Sequence, residues 1–429
     1  MTFKILSLDG GGSWALIQVR ALQALYGPDI AGHDVLRKFD LVVANSGGSI
    51  VAAGLFLNKP LSQIANLFLA QDVRQSIFVK VGWLRLAVNW ALSVTPRYSA
   101  EAKVKGLQAQ LGNDALKPIR QIAVDIGKNH ASRDIHLVVI GFDYDRERAM
   151  LFRSNHDSAA ASPGTVSDIS LLHAVHASTN APVSFFNAPA EISLTSIAAG
   201  GTREVTRRRM WDGGISGFNN PIMAGVIDAL ANGFEDARVL SIGTGNVMLP
   251  KAEHIDGSWR RDPPAEIPEL YIELGEPGMK ADVRKLALSI LSDPPDTASF
   301  IAQLVLTKQA KEALTDPRVI RLNPLIQPVR LDSNEWGLPR KVDGAALAMG
   351  GSISATAPIA VTQSDFKALI ELQMDAVEEA EVALIDRFAK AWIANHVPNQ
   401  PIRLAPQLRC DIGQPWFGAG LTLARNYFT

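Results

Sequence analysis

A single cysteine in 429 residues, Cys410, leaves no partner for an internal disulfide and no set of thiolates for a zinc site. Disulfide-stapled scaffolds and Cys-based metal folds are therefore excluded. Charge of one sign is missing too: 42 Lys and Arg stand against 43 Asp and Glu, a formal net charge of −1, which removes the electrostatic basis for nucleic acid as a default partner. The most membrane-like stretch, 78–94, is interrupted by Lys80, Arg85 and Asn89, so no transmembrane helix is expected. Residues 1–8 hold one lysine and run straight into Asp9, too short for the apolar core of a secretory signal. A cytoplasmic protein, at most peripheral to a membrane, is the expectation. With 47% hydrophobic and 20% charged residues, the chain has the composition of a globular protein with a large core.

Two strand-turn-helix units open the chain. The apolar run 3–8 stops at Asp9-Gly10-Gly11-Gly12, after which 14–26 takes up helical spacing through Ala15, Val19, Leu22 and Leu25. Phe39-Asp40-Leu41-Val42-Val43 then leads into Ala44-Asn45-Ser46-Gly47-Gly48 and a second helical stretch, 49–57. Consecutive units of this kind predict a parallel sheet with both Gly-rich turns on the rim formed by the C-terminal strand ends. Further on, 62–78 and 83–94 read as helical, 135–142 and 150–154 as a hairpin, and 167–179 as a helix that Pro182 stops. Residues 239–242 and 318–322 read as strands, and 365–394 as one long helix or two. Prolines 263, 264 and 268 and the stretch 350–357 mark loops. The expected organisation is one domain over 1–395, with a helical cap at about 79–130, loops at about 250–300 and 340–360, and a tail over 396–429. The basic run Arg207-Arg208-Arg209 reads as solvated surface.

Ester acyl transfer needs a nucleophile, a group to take its proton, and donors for the oxyanion. Ser46, held between a strand and a helix on small residues, is the candidate nucleophile. Gly10, Gly11 and Gly12 lack Cβ atoms, so their N–H groups can approach a carbonyl oxygen closely as an oxyanion hole. Asp212, in Met210-Trp211-Asp212-Gly213-Gly214, sits at a turn that lets a carboxylate reach a hydroxyl without histidine, and burial would raise its pKa enough to make it a base. No histidine sits in a comparable turn: His173 and His176 lie on the expected helix, His254 and His396 in loops.

Asp9-Gly10-Gly11-Gly12, Asn45-Ser46-Gly47-Gly48, Ala177-Ser178-Thr179-Asn180-Ala181-Pro182, Asp212-Gly213-Gly214 and Leu240-Ser241-Ile242-Gly243-Thr244-Gly245 occur in this order. In that order the sequence resembles the patatin-like phospholipases, over residues 3–245 at least. The resemblance implies a three-layer α/β/α sandwich with a mostly parallel central sheet and a Ser46-Asp212 dyad. It implies an oxyanion loop at Gly10 to Gly12, with Asp9, Asn45, Gly47, Gly48, Gly213 and Gly214 as supporting turn residues. The implied reaction is hydrolysis of fatty acyl esters through an acyl-serine intermediate at a membrane or micelle surface, with no metal or other cofactor. No calcium-loop pattern is present. Some bacterial members are effectors, which leaves a place for an activating partner or a small nucleotide.

This chain departs from the family's pattern twice. Ala44 stands where the serine turn usually begins with glycine, at a cost if its φ is positive. Trp14, followed by Ala15, stands where the family carries a basic residue followed by glycine. That basic residue is associated with an anionic head group, so its contact does not carry over.

Other readings compete. Gly10-Gly11-Gly12-Ser13-Trp14-Ala15 fits the dinucleotide pattern G-x-G-x-x-A, but the second strand ends in Ala44-Asn45-Ser46 and not in the acidic residue a ribose needs. No Gly-Lys-Ser/Thr follows for an NTPase phosphate loop. A Ser-His-Asp hydrolase using His254 or His396, and a scaffold with little basal activity, stay open.

Overall fold

The computed structural model describes residues 2–80, 97–129, 135–155, 166–182, 185–197, 203–247, 252–255, 258–261, 278, 294–307, 316–326, 329–330, 336–337, 361–399, 402–403 and 411–429. The expected helix at 83–94 and the loops around 263–268 and 350–357 lie outside these residues.

Nine strands form the main sheet: β1 (Phe3–Leu8), β2 (Leu41–Asn45), β3 (His136–Asp143), β4 (Arg148–Arg153), β5 (Val166–Asp168), β6 (Ala190–Ile197), β7 (Arg203–Asp212), β8 (Ala237–Ile242) and β9 (Val319–Leu322). Their order is β9-β8-β1-β2-β3-β7-β6-β5, with β4 also on β3. From β9 to β3 every pairing is parallel. Beyond β3 the pairings with β4, β7, β6 and β5 are antiparallel. This is a mixed α/β fold around a central, mostly parallel sheet.

Alternation along the strands decides the layers. Leu6, Val42, Leu137, Leu240 and Ile320 point to one core, shared with the helices Leu16–Tyr26, Gly47–Phe56, Glu379–Ile393 and Phe417–Phe428. Their neighbours Ile5, Val43, Val138, Val239 and Val319 point to the opposite face, packed by the helices Ile222–Ala231 and Pro294–Thr307. A strand buried on both faces needs the continuous apolar runs this sequence has, and parallel sheets are covered in this way. Phe417, Ala424 and Phe428 of the last helix join the first core, and the Tyr26 hydroxyl donates to the carbonyl of Phe428.

The hairpin expected at 135–154 is present as β3 and β4. The stretch 62–78 is two helices, Leu61–Leu69 and Gln71–Ile77, parted at the extended Ala70. Residues 365–394 are likewise two helices, Gln363–Glu371 and Glu379–Ile393, leaving a strap over 372–378. Strand β7 contains the basic run, where Arg209 pairs with Asp145 and Arg208 lies 3.7 Å from Asp143.

The edges of β3 are allotted unequally. Strand β4 takes one edge from Val138 to Asp143. The other is shared: β2 pairs up to Asn45 opposite Ile140, and β7 takes over with Asp212 opposite Gly141. The two strands therefore meet by their C-terminal ends, one residue step of about 3.3 Å apart along β3.

A buried ion pair ties the far side of the sheet to the first turn. Arg321 on β9 donates to Asp9 at 2.6 Å and to the Ser241 hydroxyl at 2.8 Å, and both charged side chains are 4% exposed. Arg321→Met is expected to destabilise the fold by about 3–5 kcal/mol, because the buried Asp9 carboxylate loses the guanidinium paired with it. The midpoint of chemical denaturation checks this, and a loss under about 1 kcal/mol would contradict it.

Candidate active site

Ser46 follows the end of β2 with φ 49° and ψ −125°, a conformation that costs an L-residue about 1–3 kcal/mol and persists only where its surroundings enforce it. Two constraints do so. Its N–H donates to the Ser178 hydroxyl at 2.8 Å, and Gly47 behind it packs so tightly on the first turn that a Cβ there would lie 2.4 Å from the Gly12 carbonyl oxygen. Ala44 lies inside β2, paired with Leu8 and Val139, so the positive φ falls on the serine and the alanine costs nothing. Ser46 occupies the N-cap of the helix Gly47–Phe56, yet its hydroxyl does not cap that helix.

The hydroxyl instead lies close enough to Asp212 to act on its carboxylate. The carboxylate is 7% exposed, and burial raises its pKa above the usual carboxylate value. The neighbouring Ser46, the bonds from the Gly214 N–H and Asn45, and the Lys103 charge pull it back. Gly214 N–H and Asn45 Nδ2 both donate to Oδ1, at 2.8 and 3.3 Å. Asp212 is thus an N-cap and a partner of serine at once.

Gly12, Ser46, Gly47 and Asp212 line one cavity of about 50 Å³. Of the three glycines expected to bind an oxyanion, the structure withdraws Gly10: its N–H donates to the Asn219 carbonyl at 2.8 Å, and its carbonyl accepts from Thr244 at 2.7 Å. Among the described residues the N–H groups of Gly11 and Gly12 are not taken by any hydrogen bond. Gly12 has φ 56°, and a Cβ on it would lie 2.2 Å from the Met374 carbonyl oxygen. Gly48 rests on the Leu8 and Asp9 carbonyls, and Gly213 against Asn45. Asp9 supports the turn through Arg321.

Trp14 is buried: it lies edge-on to Phe388 and donates to the Gln373 carbonyl at 3.2 Å, and it is not among the cavity-lining residues. Among the described residues no histidine lines the cavity either. His176 is buried, and desolvation pushes its pKa well down, with smaller contributions from Lys103 and His173.

Four residues that sequence reading did not single out complete the site. Ser178, inside a quoted segment but given no role, holds the Ser46 N–H. Lys103 lines the cavity fully buried, donating to the His176 carbonyl at 2.9 Å and the Thr179 hydroxyl at 3.2 Å, with its ammonium 4.3 Å from the Phe186 ring centre. Burial holds its pKa well below the usual ammonium value, and the charge of Asp212 opposes that shift. Arg74 and Asp375 also line the wall, Asp375 being held by the Tyr98 hydroxyl at 2.7 Å and Arg97 at 3.0 Å.

The family model for patatin-like phospholipases matches residues 6–226, just over half of the sequence. The chain belongs to the patatin-like phospholipase family. An Escherichia coli cUMP-AMP-activated phospholipase is 28% identical over 257 residues, 58% of this chain and 66% of that protein's length. Among solved structures, VipD from Legionella pneumophila aligns over 91% of this chain and 67% of its own, at 11% identity and a TM-score of 0.32. The type III effector ExoU aligns over 71% of this chain and 53% of its own, at 12% identity and a TM-score of 0.25. Among the described residues of this patatin-like chain, no helix is long and apolar enough to cross a membrane.

The strain at Ser46 predicts an inverted order of stability. At an ordinary position alanine is more stabilising than glycine by about 0.4–1 kcal/mol. Here Ser46→Gly is expected to be more stable than Ser46→Ala by about 1 kcal/mol, because glycine adopts this φ without strain. Paired urea melts measure it, and alanine at least as stable as glycine would show that the backbone is not strained at this residue.

Proposed function

We propose that this protein is a serine lipid acyl hydrolase, of phospholipase A, lysophospholipase or carboxylester lipase type, working through Ser46 and Asp212 without a cofactor. The observation that carries this is the Ser46 hydroxyl beside a buried carboxylate of raised pKa, on the wall of a largely apolar cavity. Family membership makes a lipid ester the natural substrate.

In the proposed cycle the Ser46 oxygen attacks the ester carbonyl carbon as its proton passes to Asp212. The oxyanion is received by the N–H groups of Gly11 and Gly12, in a site dry enough for each hydrogen bond to count. Collapse of the tetrahedral intermediate breaks the ester C–O bond, and the leaving alcohol takes the proton back from Asp212. Water, activated by the same carboxylate, then attacks acyl-Ser46 and releases the fatty acid. A carboxylate serves as base here because burial has brought its pKa closer to the working pH. Among the described residues no histidine stands on the cavity wall as the third member of a Ser-His-Asp triad.

A second reading concerns regulation. The E. coli relative is named for its activation by cUMP-AMP, and the same hydrolase here would rest at low activity until a nucleotide or protein partner binds.

Release of fatty acid from mixed phospholipid vesicles and from short p-nitrophenyl esters tests both readings, run with and without cyclic dinucleotides. Ser46→Ala and Asp212→Asn are each expected to lose at least about 10³-fold in kcat/KM, as members of an interdependent pair do. Full activity in Ser46→Ala would end the proposal. Lys103 gives a separate prediction. Its charge lowers the Asp212 pKa, so Lys103→Met raises that pKa further. Because the base must be deprotonated, the acid limb of the pH profile for kcat/KM is expected to move to higher pH. A limb that stays in place, or moves down, would show that Lys103 does not act on the base.

A further inference from the structure

Asn45 closes β2 and is fully buried. Two glycines clamp its amide: a Cβ on Gly10 would lie 2.8 Å from Nδ2, and one on Gly213 would lie 2.5 Å from Oδ1. The clamp fixes the plane of the amide but does not choose its direction, because the oxygen and the NH2 group are nearly the same size. Only hydrogen bonding tells the two ends apart. At one end Nδ2 donates to Asp212 Oδ1 at 3.3 Å; at the other, Oδ1 accepts from the Ser178 hydroxyl at 3.4 Å. Both bonds are longer than the usual distance, so what they set is the direction of the amide more than its position.

Ser178 has one proton to give, and Ser46 decides where it goes. The Ser46 N–H donates to Ser178 Oγ at 2.8 Å, which turns the hydroxyl proton away. Among the described residues the acceptor it reaches is the Asn45 oxygen. Ser178 is the last residue of the helix Leu171–Ser178 and is itself fully buried, so bulk water does not compete for that proton. The direction of the amide matters most once the charge on Asp212 is gone. A carboxylate attracts an amide NH2 unaided, and here that contact helps to hold the Asp212 pKa down against burial. A carboxylic acid, by contrast, has a proton of its own to donate. An amide free to turn would offer its oxygen and stabilise the protonated form. With the amide held as it is, Asn45 Nδ2 and the Gly214 N–H both occupy Oδ1, which leaves Oδ2 the freer oxygen for an incoming proton.

We propose that Ser178 is a positioning residue for proton transfer: its hydroxyl holds the Asn45 amide in one direction throughout the cycle, so that the proton Asp212 takes from Ser46 stays available to the leaving alcohol. The inference rests on the acyl hydrolase reading above and adds the group that keeps the base from being trapped in its protonated form. The same hydroxyl carries the N–H of the strained Ser46 backbone, so one side chain aligns the nucleophile and directs its base. Neighbouring hydrogen bonds of this kind also polarise one another, which strengthens the Asn45 contact with Asp212.

The test uses the full chain and two esters of one acid, ethyl butyrate and p-nitrophenyl butyrate. Ethanol leaves only with a proton from Asp212, whereas p-nitrophenolate leaves without one. Ser178→Ala is expected to move the acid limb of the kcat/KM profile to higher pH by about one unit, the scale on which a single hydrogen bond moves a carboxylate. The sign follows because the base must be deprotonated and its protonated form has gained an acceptor. The fall in kcat/KM is expected to be at least about tenfold greater for the ethyl ester, which alone depends on proton return. A limb that stays in place, or an equal fall on the two esters, would mean that Ser178 only braces the Ser46 backbone, and the proposal would be overturned. In an Asn45→Ala background, with no amide to turn, adding Ser178→Ala should move the limb no further; an undiminished shift there overturns the route through Asn45. Ser178→Cys, whose thiol donates weakly, gives the same reading with a smaller shift should the alanine variant fail to fold. A wild type inert on both esters would count against the hydrolase reading instead. In that case the amide lock is read from the 13C carboxyl resonance of Asp212, assigned against Asp212→Asn: a titration midpoint that rises in Ser178→Ala supports the lock, and an unchanged midpoint overturns it.

Discussion

The site depends on one constraint of the sheet, that β2 and β7 share a single edge of β3 and meet on it end to end. Parallel β2 ends at Asn45 opposite Ile140, and antiparallel β7 ends at Asp212 opposite Gly141. Residues 167 positions apart in the chain are thereby held by backbone pairing before any side-chain contact is made. Asn45 then bridges the junction, with its amide nitrogen on Asp212 and its amide oxygen accepting from Ser178 at 3.4 Å. Because sheet register moves only in whole residues, a slip would turn every side chain of β2 to the opposite core. The precision of the Ser46–Asp212 contact is therefore inherited from hydrophobic patterning several residues away.

A second set of bonds fixes the glycine loop against that junction. Asp9 is gripped by Arg321, the Asp9 N–H reaches the Ile242 carbonyl, and Gly245 donates to the Asn323 side chain at 2.7 Å. Asn399 extends the chain of contacts, accepting from the Asn323 N–H and donating to the carbonyls of Arg321 and Gln414. Arg321, Asn323 and Asn399 lie beyond 226, where the family match ends. The serine, the aspartate and the first glycine turn fall inside the matched region, but the charges and amides that immobilise the turn do not. Burying Asp9 and Arg321 together costs more desolvation than an apolar pair would, a cost consistent with the pair's holding the loop in one geometry.

What could be read from the sequence was what is local. Gly10 to Gly12, Asn45 to Gly48 and Asp212 to Gly214 announce themselves because a sharp turn demands small residues within a few positions. The strands β1, β2, β8 and β9 do so because burial on both faces demands mostly apolar runs. Strands β6 and β7 were missed, since Arg207 to Arg209 reads as surface until Asp143 and Asp145 are brought beside it. Lys103 and Arg74 were illegible for a sharper reason. Each looks like an ordinary helical cation, and only tertiary packing turns it inward and strips away its water. The withdrawal of Gly10 from the oxyanion loop likewise turns on Asn219, more than 200 residues later.

The strap over 372–378 joins these strands of reasoning. Ser13 donates its N–H to the Met374 carbonyl at 2.9 Å and its hydroxyl to the Ala376 carbonyl at 2.9 Å, while Trp14 reaches Gln373 and Arg74 reaches Val377. Met374 and Asp375 line the cavity between those anchors. One segment thus braces the loop bearing Gly12 on one side and the wall bearing Arg74 on the other, and Gly12 is pressed against it so closely that no side chain fits. Displacing the strap would release the Gly12 loop and the Arg74 side chain together, so the two sides of the cavity form one coupled unit. Trp14 belongs to that unit as an anchor, its indole fastening the loop to the strap through the Gln373 carbonyl.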